Sequence, residues 1–186
     1  MKPVYLLTGR PGTGKTSLIK QALFELKVKA GGFYTEEIRS QGTRLGFKLI
    51  TLDGQEAVLA QVSISSCFRV SKYGVDVESL DRVGVAALRQ AARQRDLIVI
   101  DEIGKMELFS ASFREAVLEI IGSGKKVLGT IMLAPNPWAD AIKSKSQVKL
   151  VEVTRANYDR VLDDIRHWLE KDWCHDTITG TGSGAA

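Results

Sequence analysis

Cysteine and histidine are scarce, with two of each in 186 residues. Cys67 and Cys174 stand far apart with no C-x-x-C companion. Neither a disulfide framework nor a zinc site is therefore expected, and two reduced thiols are the default. His175 follows Cys174, but two ligands do not make a zinc site, and His167 reads as a boundary residue of a late helix. No apolar run approaches the length needed to cross a membrane, and the N-terminus lacks a signal-peptide pattern. Met1-Lys2-Pro3 runs straight into an apolar segment. The expectation is a cytoplasmic protein without a membrane part. Charge is not concentrated either. The net charge is +4, Lys and Arg are scattered, and the loose stretch Lys143, Lys145 and Lys149 reads as a solvated face. A nucleic-acid surface is thus not indicated. A hydrophobic content of 44% with 26% charged residues is that of a globular domain long enough to bury a core.

What is present is concentrated near the N-terminus. Gly9-Arg10-Pro11-Gly12-Thr13-Gly14-Lys15-Thr16-Ser17 fits the G-x-x-x-x-G-K-[ST] phosphate loop. It lies between a short apolar strand, Val4-Tyr5-Leu6-Leu7, and a helical pattern running to about Lys27. Glycines let successive backbone N–H groups point at one anion, and the following helix adds the positive end of its dipole. Lys15 can reach the β- and γ-phosphates, and the Thr16 hydroxyl is suited to Mg²⁺. The motif predicts a nucleoside-triphosphate site. Arg10 reads as a solvated side chain pointing out of the loop.

The remaining pattern alternates strands and helices, which argues for a mostly parallel sheet covered on both sides. Residues 33–39, 45–52 and 56–60 alternate like strands around turn signals and predict an antiparallel meander inserted into the α/β domain. Residues 78–95 have helical spacing, and Leu97-Ile98-Val99-Ile100 is a buried parallel-type strand. A helix is expected to open at Ser112, paired with Glu115 as a capping box. Strands at 126–131 and 148–153 and a last helix bearing Val161, Leu162, Ile165, Trp168 and Leu169 follow. The domain is assigned to residues 1–173. Residues 174–186, rich in Gly, Thr and Ser, are expected to form a disordered tail.

Asp101-Glu102 closes the apolar strand. Ligands of open α/β sheets bind at the carboxyl ends of strands, so both acids are expected beside the phosphate loop. Asp101 is placed to hold Mg²⁺, mainly through water. Glu102 is placed to orient and deprotonate a water attacking the γ-phosphate, with Glu107 the next candidate if it does not. The competing reading is a surface carboxylate pair capping the next turn.

Asp101-Glu102-Ile103-Gly104-Lys105-Met106-Glu107-Leu108, together with Gly32-Phe33-Tyr34-Thr35-Glu36-Glu37-Ile38-Arg39, Gly46-Phe47 and Tyr73-Gly74-Val75, resembles the motifs of the cancer-related nucleoside-triphosphatase family in the same order. The resemblance covers about residues 3–170. It implies a P-loop NTPase of the RecA-like kind, with another strand between the phosphate-loop strand and the Asp-Glu strand. It also implies Mg²⁺-dependent hydrolysis of ATP, GTP and other triphosphates. Two departures stand out. Tyr158 occupies a position where the family usually has Arg, with Arg155 and Arg160 as possible substitutes, and Ser71 stands where Gly is common.

Lys105 is a candidate for stabilising transition-state charge or for a structural ion pair. Lys72 and Tyr73 lie in a glycine-containing loop and are candidates for a lid. Phe33 and Tyr34 are candidates for base stacking or for core and cross-strand packing. Two rival functions remain open at this level. A small-molecule or nucleoside kinase would use the same cradle with an Arg-rich lid, and Arg82, Arg89, Arg93 and Arg95 fall in one helical region. A nucleotide-dependent RNA- or DNA-binding switch would bind its partner with steep salt dependence. The sequence leaves open the oligomeric state and whether a partner supplies an Arg or Lys in trans.

Overall fold

The computed structural model describes residues 2–171. In chain order, β1 (Val4–Thr8) leads through the phosphate loop into α1 (Lys15–Leu26). Five strands follow: β2 (Ala30–Ser40), β3 (Thr43–Thr51), β4 (Glu56–Gln61), β5 (Arg69–Val70) and β6 (Tyr73–Val75). A helical stretch then runs from α2 (Val77–Ser79) through a π-helical turn, Leu80–Val85, into α3 (Ala86–Gln94). After β7 (Leu97–Ile103) come a 3-10 turn, Glu107–Phe109, and α4 (Ala111–Gly122). The chain continues with β8 (Lys126–Ile131), α5 (Pro137–Lys143), β9 (Val148–Glu152) and α6 (Tyr158–Glu170).

All nine strands join one sheet in the order β5-β6-β4-β3-β2-β7-β8-β1-β9. The half from β2 to β9 is parallel, and β3, β4, β6 and β5 continue it antiparallel. The meander is therefore an extension of the sheet edge, hinged on β2, which pairs with β7 on one side and β3 on the other. β8 lies between β1 and β7, the strand order implied by the family resemblance.

The parallel strands are apolar on both faces because each face is covered. Val4, Leu6, Ile98, Ile100 and Val127 point into one core with side chains from α3, α4 and α5. Tyr5, Leu7, Leu97, Val99 and Leu128 point into the other, against α1 and α6. The period-2 alternation of strands distributes each run between two layers. α6 buries the face read from its sequence, Val161, Leu162, Ile165, Trp168 and Leu169. Its Trp168 ring packs on Tyr5 at 5.4 Å and donates Nε1–H to the Lys2 carbonyl at 3.0 Å.

One expectation needs correction. The N-cap of α4 is Ser110, whose hydroxyl accepts from Phe113 N at 2.9 Å, so Ser112 sits within the first turn. Ser110 wins because its hydroxyl is also anchored on Asp81, a tertiary contact outside the local pattern. The short pair β5–β6 and the π-helical turn had no sequence expectation. The tail at 174–186, with Cys174 and His175, lies outside the described residues.

The β5–β6 turn accounts for one departure from the family. Ser71 has φ 55, a left-handed backbone that glycine adopts without a Cβ clash. Ser71→Gly is expected to raise stability by about 0.5–1 kcal/mol, the relief of strain exceeding the added chain entropy. Thermal unfolding of the two proteins checks this, and an unchanged or lower Tm contradicts it.

Candidate active site

The carboxyl ends of β1, β7 and β8 meet at one cavity of about 480 Å³. Lys15, Thr16, Asp101, Glu102 and Thr130 form one wall. Thr35, Glu36, Glu37, Arg44 and Phe47 of the β2–β3 hairpin face them. The sheet order produces this directly, since β8 carries Thr130 between the loop after β1 and the acids at the end of β7.

The phosphate loop has the expected build. Gly14 caps α1 in a left-handed conformation, φ 87, and a Cβ there would lie 2.7 Å from the Tyr158 ring. Lys15 Nζ donates to the Gly9 and Arg10 carbonyls at 3.0 and 3.2 Å, which holds the ammonium at the loop's mouth. Thr13 Oγ1 bonds Arg10 O at 3.0 Å and tightens the turn. Pro11, Gly12 and Ser17 also line the cavity, while the Arg10 side chain is exposed.

Asp101 is 1% exposed, and Thr130 Oγ1 donates to its Oδ1 at 2.5 Å. Burial raises its pKa, opposed by the Thr130 and Thr16 hydroxyls and by the charges of Lys15 and Lys20. Its second oxygen, Oδ2, is buried without a hydrogen-bond partner. An orphaned carboxylate oxygen next to Thr16 is the donor set a hydrated Mg²⁺ accepts, alongside substrate phosphates. Among the described residues no group of three or more His, Cys, Asp or Glu is arranged to hold an ion.

Glu102 follows across a cis peptide bond. Its pKa is raised first by burial and second by the neighbouring charge of Asp101, with Lys15 opposing. Glu107 is the surprise. It is 4% exposed, accepts Gly104 N–H at 3.1 Å, and is pushed up to about 8 by burial and by Glu102.

Several candidates lie apart from this cavity. Lys105 is exposed and borders a separate cavity with Arg69 and Phe109. Lys72 and Tyr73 line a neighbouring cavity of about 570 Å³ that shares Arg44 and Phe47 with the first. Tyr73 is itself buried, and its hydroxyl accepts from Arg44 Nε at 3.0 Å. Phe33 belongs to the core, and one face of Tyr34 is taken by Lys20 Nζ at 3.8 Å. Tyr158 packs against Gly14 and hydrogen-bonds Gln21 on α1. Of the two Arg candidates near it, Arg155 borders a cavity beside Arg10–Thr13.

Sequence reasoning missed Thr130, Arg44 and Glu37. Thr130 was findable, since it ends a strand expected beside the Asp-Glu strand. Arg44 and Glu37, paired at 2.8 Å, face the loop only because the hairpin folds over it, which no local pattern encodes.

Comparison with known proteins shows the family. A family model described as NTPase matches residues 4–166. The chain belongs to that family. The nucleoside-triphosphatase THEP1 of Thermotoga sp. (strain RQ2) is 49% identical over 160 residues, covering 86% of this chain and 91% of the relative. The human cancer-related nucleoside-triphosphatase is 40% identical over 176 residues, covering 86% and 92%. The crystal structure of THEP1 from Aquifex aeolicus superposes with a TM-score of 0.81 at 37% identity, over 90% of this chain and 99% of that one. The solution structure of the human protein gives 0.78 at 39%, over 92% and 99%. The α/β P-loop fold and the membership in a nucleoside-triphosphatase family are thus shown together. No helix of the described residues is long and apolar enough to cross a membrane.

Burial of Glu107 has a measurable consequence. Its value in the fold, about 8, lies above the ordinary 4.5, so the native state holds the proton more tightly than the unfolded chain. The stability it contributes is complete below the ordinary value and is lost as pH rises towards the folded one. Glu107→Gln should remove this dependence, up to roughly 1.4 kcal/mol for each unit of the window. Denaturant unfolding of both proteins from about pH 5 to about pH 9 checks it. Equal pH slopes would contradict the assigned burial of an ionisable group.

Proposed function

We propose that the protein hydrolyses nucleoside triphosphates, ATP and GTP among them, to the diphosphate and inorganic phosphate with Mg²⁺. The observation that carries this reading is the order of groups at the end of β7: a buried Asp101 whose Oδ2 lacks a partner, followed at once by Glu102 in the cavity that holds Lys15 and Thr16.

The loop amides and Lys15 bind the β- and γ-phosphates and neutralise their charge. Thr16 and Asp101 would hold Mg²⁺, which would supply further positive charge at the phosphates. Glu102 orients a water in line with the γ-phosphorus and takes its proton as the new P–O bond forms. The bond to the β–γ bridging oxygen breaks, and the diphosphate leaves with the electron pair. The raised pKa of Glu102 makes it a better proton acceptor than an exposed carboxylate. Arg44, on the facing wall, is a cation of the same chain within the cavity.

The kinase alternative loses its main support. Arg82, Arg89 and Arg93 are exposed on the helical stretch before β7, and none of them lines the phosphate-loop cavity. A free, exposed Cys67 and the demand for nucleotide and Mg²⁺ favour a cytoplasmic setting.

Glu102→Gln is expected to keep Mg²⁺–triphosphate affinity near wild type while turnover falls by roughly two to four orders of magnitude. Asp101→Asn should instead weaken the apparent affinity for Mg²⁺ as well as slow the rate. Nucleotide titration paired with phosphate release, without any acceptor, measures both. Wild-type turnover in Glu102→Gln would remove the base assignment.

A further inference from the structure

The signature after β7 contains a carboxyl group that the hydrolytic reading leaves unused. Glu107 sits in the 3-10 turn that brings the chain back over Gly104, with Leu108 N–H donating to Gly104 O at 3.1 Å. In return, Gly104 N–H donates to Glu107 Oε2 at 3.1 Å. A Cβ on Gly104 would lie 2.9 Å from that same oxygen and 3.3 Å from both Oε1 and the carboxyl carbon of Glu102. Both carboxyl groups therefore border the same space over Gly104, the one a side chain there would fill.

We propose that Glu107 is a positioning residue for Glu102: anchored on Gly104 N–H, it holds a proton and presents it to the Glu102 carboxylate. This rests on Glu102 as the base. The charged groups acting on Glu107 are Glu102 and Asp101, both on β7, and the backbone N–H groups of Gly104 and Glu107 oppose them. Two ionised carboxylates cannot share so dry a space without strong repulsion, so one of them keeps a proton. Glu107 is the more deeply buried of the two and is pushed up to about 8, so it is the one that keeps the proton. Glu107 then carries an O–H donor that fixes one Glu102 oxygen and leaves the other free for water. During hydrolysis the water's proton goes to Glu102, and Glu107 keeps its own.

The arrangement is intact below the Glu107 pKa and is lost as Glu107 ionises, so kcat/KM should decline on the alkaline side with a midpoint near that value. Glu107→Gln preserves both an acceptor for Gly104 N–H and a donor towards Glu102, and the amide does not ionise. It should lower kcat by no more than roughly tenfold at neutral pH and abolish the alkaline decline. Glu107→Leu removes both contacts and should lower kcat by about 10–100-fold with KM little changed. Gly104→Ala, which pushes a methyl between the two carboxyls, should reproduce that kcat loss, and it serves where Glu107→Leu does not fold.

The experiment is a pH–rate profile with Mg²⁺–ATP for the wild type, Glu107→Gln, Glu107→Leu, Gly104→Ala and Glu102→Gln. Loss of the alkaline limb in Glu107→Gln, with kcat-specific losses in the Leu or Ala variants, supports the proposal. An alkaline limb unchanged in Glu107→Gln, while Glu102→Gln is inactive, overturns the role of Glu107 and leaves the base assignment standing. Wild-type turnover in Glu102→Gln overturns the base assignment itself.

Discussion

The structure depends on one electrostatic constraint: three carboxyl groups, Asp101 and Glu107 buried and Glu102 half-buried, gather at and just after the end of a central strand, with Lys15 and Lys20 as the lysines whose charge acts on Asp101. Each of Asp101, Glu102 and Glu107 is driven towards its neutral form by loss of water, and the latter two also by a neighbouring acid. Such groups persist only where hydrogen bonds or cations offset their desolvation. Thr130 supplies one bond to Asp101, and Gly104 N–H supplies one to Glu107. The rest must come from positive charge, and the phosphate loop gathers it at this point through Lys15 and the N-terminus of α1. A dication carried in with a triphosphate would complete the balance.

The strand order serves that constraint. β8 separates β1 from β7, which opens room between the phosphate loop and the acids and places Thr130 against Asp101. The apolar division of β1 and β7 between two cores fixes their register against β8. The hairpin β2–β3 then closes the opposite side. Arg44 is held there by Glu37 at 2.8 Å and by the Tyr73 hydroxyl at 3.0 Å, so its position derives from the antiparallel half of the sheet. Tyr73 contributes to that support, and neither it nor Lys72 lines the phosphate-loop cavity.

Much of this was legible in the chain because it is local. The phosphate loop declares itself through glycine spacing, and β7 through four consecutive apolar residues ending in Asp101. The position of β8 came from family resemblance, since periodicity carries no strand order. What was hidden is tertiary. Ser110 rather than Ser112 caps α4 because Asp81, far away in sequence, holds its hydroxyl. The burial of Glu107 depends on a turn folding back over Gly104, and the approach of Arg44 depends on a hairpin. Tyr158, which stands where the family usually has Arg, packs on Gly14 and supports the loop.

A crystal structure with Mg²⁺, a nucleoside diphosphate and a planar fluoride mimic of the transferring phosphoryl group tests the central claim most directly. The account predicts the metal on the Thr16 hydroxyl, with Asp101 Oδ2 bound through a water of its shell. It also predicts an in-line water within about 3 Å of a Glu102 oxygen. A metal with no link to Asp101, or an in-line water held by another group while Glu102 faces away, would contradict it.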